Sequence, residues 1–253
     1  MNLNIIKDNK MNNNKKDILA NGNSKNLPDD CIYAKFNDFI FSTDTKILGK
    51  LLHRFKHFLN VQDLPGDIVE VGVFKGSGMS SFLKFIEIFS NTSNKKVIGF
   101  DIFGVDKSKK VLNNDTSIDQ QSMNMIYDRV DHSDLSLDSV KLRLKNTNIS
   151  EDKFILVEGD VESSIPEFLQ NNPGFRISLL YIDVDIERPT YFALKHLWDR
   201  VLPGGVIIFD EFEYHKYSES SGVEKFLKEN AIPFEIKSTN WIAPTAFMYK
   251  KTF

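Results

Sequence analysis

Two neighbouring apolar runs in this sequence end in paired acids. The first reads Leu180-Tyr181-Ile182-Asp183-Val184-Asp185-Ile186-Glu187-Arg188-Pro189-Thr190, and the second Pro203-Gly204-Gly205-Val206-Ile207-Ile208-Phe209-Asp210-Glu211. As adjacent parallel strands, their carboxyl ends lie side by side, so Asp183, Asp185, Asp210 and Glu211 are expected to converge on one edge. Carboxylates so crowded repel one another, and a divalent cation relieves the repulsion. An all-oxygen set without His or Cys favours Mg²⁺, Mn²⁺ or Ca²⁺ over zinc. The competing reading makes these acids helix caps and surface ion-pair partners.

A second constellation, Glu70-Val71-Gly72-Val73-Phe74-Lys75-Gly76-Ser77-Gly78, closes an apolar run and opens a helical one. Glycines at such a turn let backbone approach a ligand, and the amides of the following helix offer donors. The spacing excludes two common nucleotide sites. A dinucleotide fingerprint needs glycine where Phe74 stands, and the Gly-Lys-Ser/Thr ending of a P-loop is missing. Asp101, at the end of VIGFDIFG, suits a bidentate contact to ribose hydroxyls, or else a helix cap. Asp160 and Val161, in VEGDVESSIP, border an adenine in one reading, and Asp160 caps the next helix in the other.

These residues need a scaffold that brings strand ends together. From Pro65 onward, short apolar runs alternate with helical segments: DIVEVGV, GMSSFLKFIEIFS, KKVIGFDIF, a helix around Ser136 to Lys145, KFILVEGD, SSIPEFLQ, ISLLYIDVD, PTYFALKHLWDRVL and GVIIFDEF. The pattern predicts an α/β fold with a mostly parallel sheet covered by helices on both faces. After Gly222 come one more helix and two strand candidates, PFEIKS and AFMYKK, expected to form an edge hairpin. Between Asp44 and Val61, Ile47, Leu48, Leu51, Leu52, Phe55, Phe58 and Leu59 predict a helix with these residues inward and Lys50, Arg54, Lys56 and His57 on its wet side. Gly104 to Asp134 is polar and interrupts the βα rhythm, as a lid insertion or a solvated loop does.

Composition narrows the class. The 253 residues are 41% hydrophobic and 26% charged, inside the globular range and enough for one domain. Residues 1–30, rich in Asn and Lys, read as a flexible tail, leaving residues 31–253 as the domain. Lone Cys31 excludes an internal disulfide or a thiolate zinc cage and suits a reducing, cytoplasmic setting. Against 35 acids stand 32 Lys and Arg, a net of −3 that gives no field to gather nucleic acid. No apolar stretch is long enough for a membrane span or a signal peptide core. Aromatics in the N-terminal helices suit a homodimer. His53, His57 and His196 read as packing or surface residues, whereas His132 and His215 lie in loops near the acidic edge.

Glu-x-Gly-x-x-x-Gly-x-Gly resembles motif I of class I S-adenosylmethionine-dependent methyltransferases. With that turn upstream, the run IDVDIERPTYFALKHLWDRVLPGGVIIFDEF resembles the macrocin O-methyltransferase family over about residues 44 to 250. The resemblance implies a Rossmann-like fold that binds S-adenosylmethionine beside Glu70, Gly72, Val73, Phe74, Gly76, Ser77, Asp101, Asp160, Val161 and Asp183. It also implies Mg²⁺ on Asp183, Asp210 and Glu211, Asp185 as general base, and a sugar hydroxyl on a small molecule or glycan precursor as acceptor. Where many members carry Asp-Asp, this chain has Asp210-Glu211. An NAD-dependent oxidoreductase or a non-catalytic adenosylmethionine-binding protein are the alternatives; the first is disfavoured by Phe74, and the second leaves the acids without a task.

Overall fold

A computed structural model describes residues 32–233 and 235–251, so the expected tail over residues 1–30 lies outside the described residues, as does Phe234 within PFEIKS. The chain divides into two compact units, Met1–Leu48 and Gly49–Phe253. In the first, helix α1 (Ile32–Ile40) leaves Ile32, Phe36 and Ile40 exposed. Asp44 Oδ1 accepts the Ile47 N–H at 2.9 Å, a side-chain cap that starts α2 (Thr45–Val61).

The second unit follows the alternation of the sequence. Its elements are β1 (Asp67–Val71), α3 (Ser77–Phe89), β2 (Val97–Asp101), α4 (Val105–Leu112), α5 (Ser117–Tyr127), α6 (Leu137–Lys145) and β3 (Phe154–Glu158). There follow α7 (Val161–Asn171), β4 (Ile177–Ile182), α8 (Glu187–Leu197), β5 (Val201–Phe209), α9 (Glu219–Glu229), β6 (Lys237–Ser238) and β7 (Ala246–Tyr249). The seven-stranded sheet has the order β3-β2-β1-β4-β5-β7-β6. Its first five strands are parallel, and β7 runs antiparallel between β5 and β6. The parallel sheet and its antiparallel terminal pair are as the sequence predicts.

Each parallel strand is apolar on both faces because each face is covered. Val69, Val71, Ile98, Phe100, Leu180, Ile182, Ile207 and Phe209 pack with Ile165 of α7, Leu194 of α8 and Val223 of α9. The alternate residues Ile68, Val97, Leu179, Tyr181, Val206 and Ile208 pack with Phe58 of α2, Phe82 of α3 and Leu144 of α6. Period-2 alternation thus sends successive side chains into two separate cores.

Two expectations are corrected. Ile47, Leu51, Leu52 and Leu59 are exposed, whereas Arg54 and His57 are buried and Lys50 is four-fifths covered. The apolar residues of α2 run around most of its circumference, so their spacing left the inward face undecided, and buried carboxylates decide it by drawing in the cations. The insertion is also more than a loop, since it folds into α4, α5 and a short 3₁₀ turn at His132–Leu135.

His57 packs on Phe247 at 4.6 Å between ring centroids, and neither ring nitrogen has a hydrogen-bond partner. Burial, helped by His53 and Lys56, lowers its pKa from 6.5 to about 4. Between those values the unfolded chain binds a proton that the folded chain refuses, so the stability from this group is full above pH 6.5 and is lost as pH falls toward 4. Relative to His57→Leu, the wild type is therefore expected to lose about 3 kcal/mol across that window, at 1.36 kcal/mol per unit. Urea midpoints of both proteins across the window check this, and parallel pH profiles would contradict it.

Candidate active site

Sheet register brings the chemistry together. Val71 pairs with Ile182, Ile182 with Phe209, and Val71 with Phe100. The next residue of each strand is therefore in the same row: Asp183 N–H donates to Val71 O at 2.8 Å, Asp210 N–H to Ile182 O at 3.0 Å and Gly72 N–H to Phe100 O at 2.9 Å. Gly72, Asp101, Asp183 and Asp210 thus line the carboxyl edge, the place where open α/β sheets bind ligands.

Gly72 is required there for a reason beyond ligand access. With φ at 90°, a Cβ on it would stand 1.9 Å from the Asp183 carbonyl oxygen, so only glycine lets the ends of β1 and β4 approach. Three non-glycine residues at the same edge also have left-handed backbones: Phe74 after β1, Phe103 after β2 and Asp185 after β4. Such strain persists where the surroundings over-determine it, and it clusters at working sites.

The glycine turn is held by Asp101. Its Oδ2 accepts from the amides of Val73 at 2.8 Å and Phe74 at 3.0 Å, and its Oδ1 from Phe103 at 2.9 Å. Gly76 and the α3 amino end follow, with Ser77 exposed. Glu70 lies beneath the turn at 1% exposure, its Oε1 on Arg54 Nη2 at 3.1 Å. Burial, against the pull of Arg54, pushes Glu70 up to about 7. Asp160 caps α7 through the Glu162 amide and meets Arg188 Nη1 at 3.0 Å, with Val161 buried at the first position of that helix. Arg188 also binds Asp115 at 2.9 Å, and Ser218 donates to Asp119 at 2.6 Å, so the insertion is tied to the acidic edge.

At the centre, Asp183 Oδ2 and Asp210 Oδ2 point at one cation. Lys50 Nζ stands 2.9 Å from the first and 2.8 Å from the second. Asp210 Oδ1 accepts from the Tyr181 hydroxyl, and Arg54 lies 4.7 Å over the Tyr181 ring and 3.7 Å from Asp183 Oδ2. Burial pulls the Lys50 pKa down, but Asp183 and Asp210 outweigh it and hold the ammonium above the usual lysine range. Asp210 is raised by burial and then by Asp183, against Lys50. Asp185 is raised well above the carboxylate range, first by burial and then by Asp183, Asp210 and Glu211.

Glu211 is 7% exposed, and its amide donates to Glu219 Oε1 at 3.0 Å. Glu219 is fully buried, and burial followed by Asp210 raises it well above its ordinary value. The structure thus brings Asp183 and Asp210 together on one point, with Asp185, Glu211 and Glu219 nearby. Among the described residues, no three acids, histidines or cysteines already surround a single metal position.

Lys50, Arg54, Tyr181 and Glu219 escape sequence reasoning. The only available signal was cations spaced i, i+4 on a helix otherwise apolar on most sides. Glu219 gave none, because an acid in a first helical turn is ordinary dipole complementation.

Residues 45–251 match the sequence profile of macrocin O-methyltransferase (TylF). The chain belongs to the macrocin O-methyltransferase family. Family members are S-adenosylmethionine-dependent O-methyltransferases. This macrocin O-methyltransferase family chain is similar to mycinamicin III 3''-O-methyltransferase of Micromonospora griseorubida, at 24% identity over 202 residues, 76% of this chain and 77% of that protein. It is likewise 24% identical over 149 residues to 8-demethyl-8-(2,3-dimethoxy-alpha-L-rhamnosyl)-tetracenomycin-C 4'-O-methyltransferase of Streptomyces olivaceus. That match takes in 59% of this chain and about half, 54%, of the relative. Among solved structures, the calicheamicin methyltransferase CalS11 shares the fold with a TM-score of 0.67 at 21% identity, over 94% of this chain and 90% of that one.

Proposed function

We propose that this family member transfers a methyl group from S-adenosylmethionine to a hydroxyl of a sugar-bearing small molecule or glycan precursor, with Mg²⁺ held by Asp183, Asp210 and Glu211. The observation that carries the reading is the convergence of Asp183 and Asp210 on one cation beside the glycine turn. The curated relatives support the acceptor class: both are named as O-methyltransferases, and the name of the Streptomyces olivaceus protein includes a rhamnosyl group on its acceptor. The donor set suits the ion: hard carboxylate oxygens, crowded and already sharing a positive charge, are what Mg²⁺ selects. The cation supplies charge stabilisation for an acceptor oxygen that becomes an alkoxide. S-adenosylmethionine supplies an electrophilic methyl group.

The chain's residues divide the remaining work. The turn from Gly72 to Ser77, braced by Asp101, holds the amino acid end of the cofactor, while Asp101 faces its ribose, and Asp160 and Val161 its adenine. Asp185, beside Asp183 at the end of β4, takes the acceptor hydroxyl proton. The insertion, tied down through Arg188 and Ser218, excludes water and orients the acceptor. The lone cysteine suits the same chemistry in a reducing cytoplasm. No described helix is long and apolar enough to cross a membrane.

Calorimetry tests the cofactor assignment. S-adenosylhomocysteine is expected to bind in Mg²⁺ or EDTA and NAD in neither; binding of NAD alone would overturn it.

A further inference from the structure

We propose that Lys50 is a displaceable internal counter-ion: its ammonium occupies the position between Asp183 and Asp210 until a divalent cation drives it out. This rests on the reading of those acids as a cation site and adds a competitor built into the chain. Three observations carry it. Lys50 Nζ contacts one oxygen of each carboxylate, at 2.9 and 2.8 Å, so the oxygens that a metal needs are the ones the lysine uses. Its side chain keeps 20% of its surface exposed, leaving a route outward for a flexible four-carbon stem. Its neighbour one turn on, Arg54, is only 8% exposed and is fixed on Glu70 at 3.1 Å.

The two cations therefore have separate tasks. Arg54 stays, balancing Glu70 and part of Asp183. Lys50 holds the acid pair together when no metal is present and leaves when one arrives, because an ammonium and a divalent ion cannot share two carboxylate oxygens at contact distance. Metal affinity is then reduced by the fraction of molecules in which the lysine is seated.

Mn²⁺ is the probe, read by electron paramagnetic resonance of the free ion. Lys50→Met is expected to bind Mn²⁺ about tenfold more tightly than the wild type, which corresponds to a lysine seated about nine-tenths of the time. A second measurement uses the unaltered protein, so that a folding defect in the variant cannot decide the matter. Lysines are acetylated with a water-soluble ester, with and without Mn²⁺, and mapped by mass spectrometry. Labelling of Lys50 is expected to rise several-fold with the metal while Lys56 stays constant. Equal affinity in both proteins with unchanged Lys50 labelling would overturn the inference and leave the cation site standing. Absence of Mn²⁺ binding by either protein would overturn both.

Discussion

Replacing Asp185 with Asn lowers the turnover number by about 10²- to 10⁴-fold, the contribution of a positioned proton acceptor, and leaves S-adenosylhomocysteine affinity nearly unchanged. The choice of Asn matters. Asp185 has φ at 65°, a left-handed backbone that Asn tolerates and that bulkier or β-branched residues resist. Asn keeps the shape and the backbone and removes the basic oxygen, so the loss reports chemistry rather than a rearranged strand end. Steady-state kinetics separate the outcomes: a fall in turnover at constant cofactor affinity supports a base, whereas a fall in cofactor affinity alone makes Asp185 a binding residue.

The second large effect is on stability. Arg54→Met is expected to cost about 3–5 kcal/mol, because it leaves Glu70 buried without its cation. Methionine matches the length of the stem, so lost packing against Tyr181 is a small part of the total. Removing the charge from both partners should recover part of the loss, since a buried neutral amide costs less to leave unpaired than a buried carboxylate. Arg54→Met with Glu70→Gln is thus expected to unfold closer to the wild type than Arg54→Met alone. Urea denaturation of the three proteins checks the order, and a single variant as stable as the wild type would show that the pair is not a structural requirement.

Much of this molecule is legible in its residues, and the part that is not has a common cause. Strands such as Ile177–Ile182 announce themselves because an unbroken apolar run needs cover on both faces. The paired acids are legible too, because strands in register carry Asp183 and Asp210 to adjoining ends. Helix α2 illustrates the limit. Its inward face is chosen by Lys50 and Arg54, whose partners include Asp183, 133 residues beyond Lys50. Periodicity describes the distribution of apolar side chains on one element and carries no information about a charge so distant in the chain. Glu219 escapes notice for the same reason, since its burial depends on Glu211 and on the packing of α9. The turn glycine Gly72 was recognised as necessary, yet part of that need is the carbonyl of Asp183.

Methyl transfer itself tests the central claim most directly. The protein is incubated with trideuteromethyl S-adenosylmethionine and sugar-bearing acceptors of the classes named for its relatives, in Mg²⁺ or in EDTA, and products are analysed by mass spectrometry. The expected result is one labelled methyl on a sugar hydroxyl, formed in Mg²⁺, suppressed in EDTA and restored by added metal. Equal transfer in EDTA would contradict the role assigned to Asp183 and Asp210, and transfer to a nitrogen or carbon would contradict the reaction class.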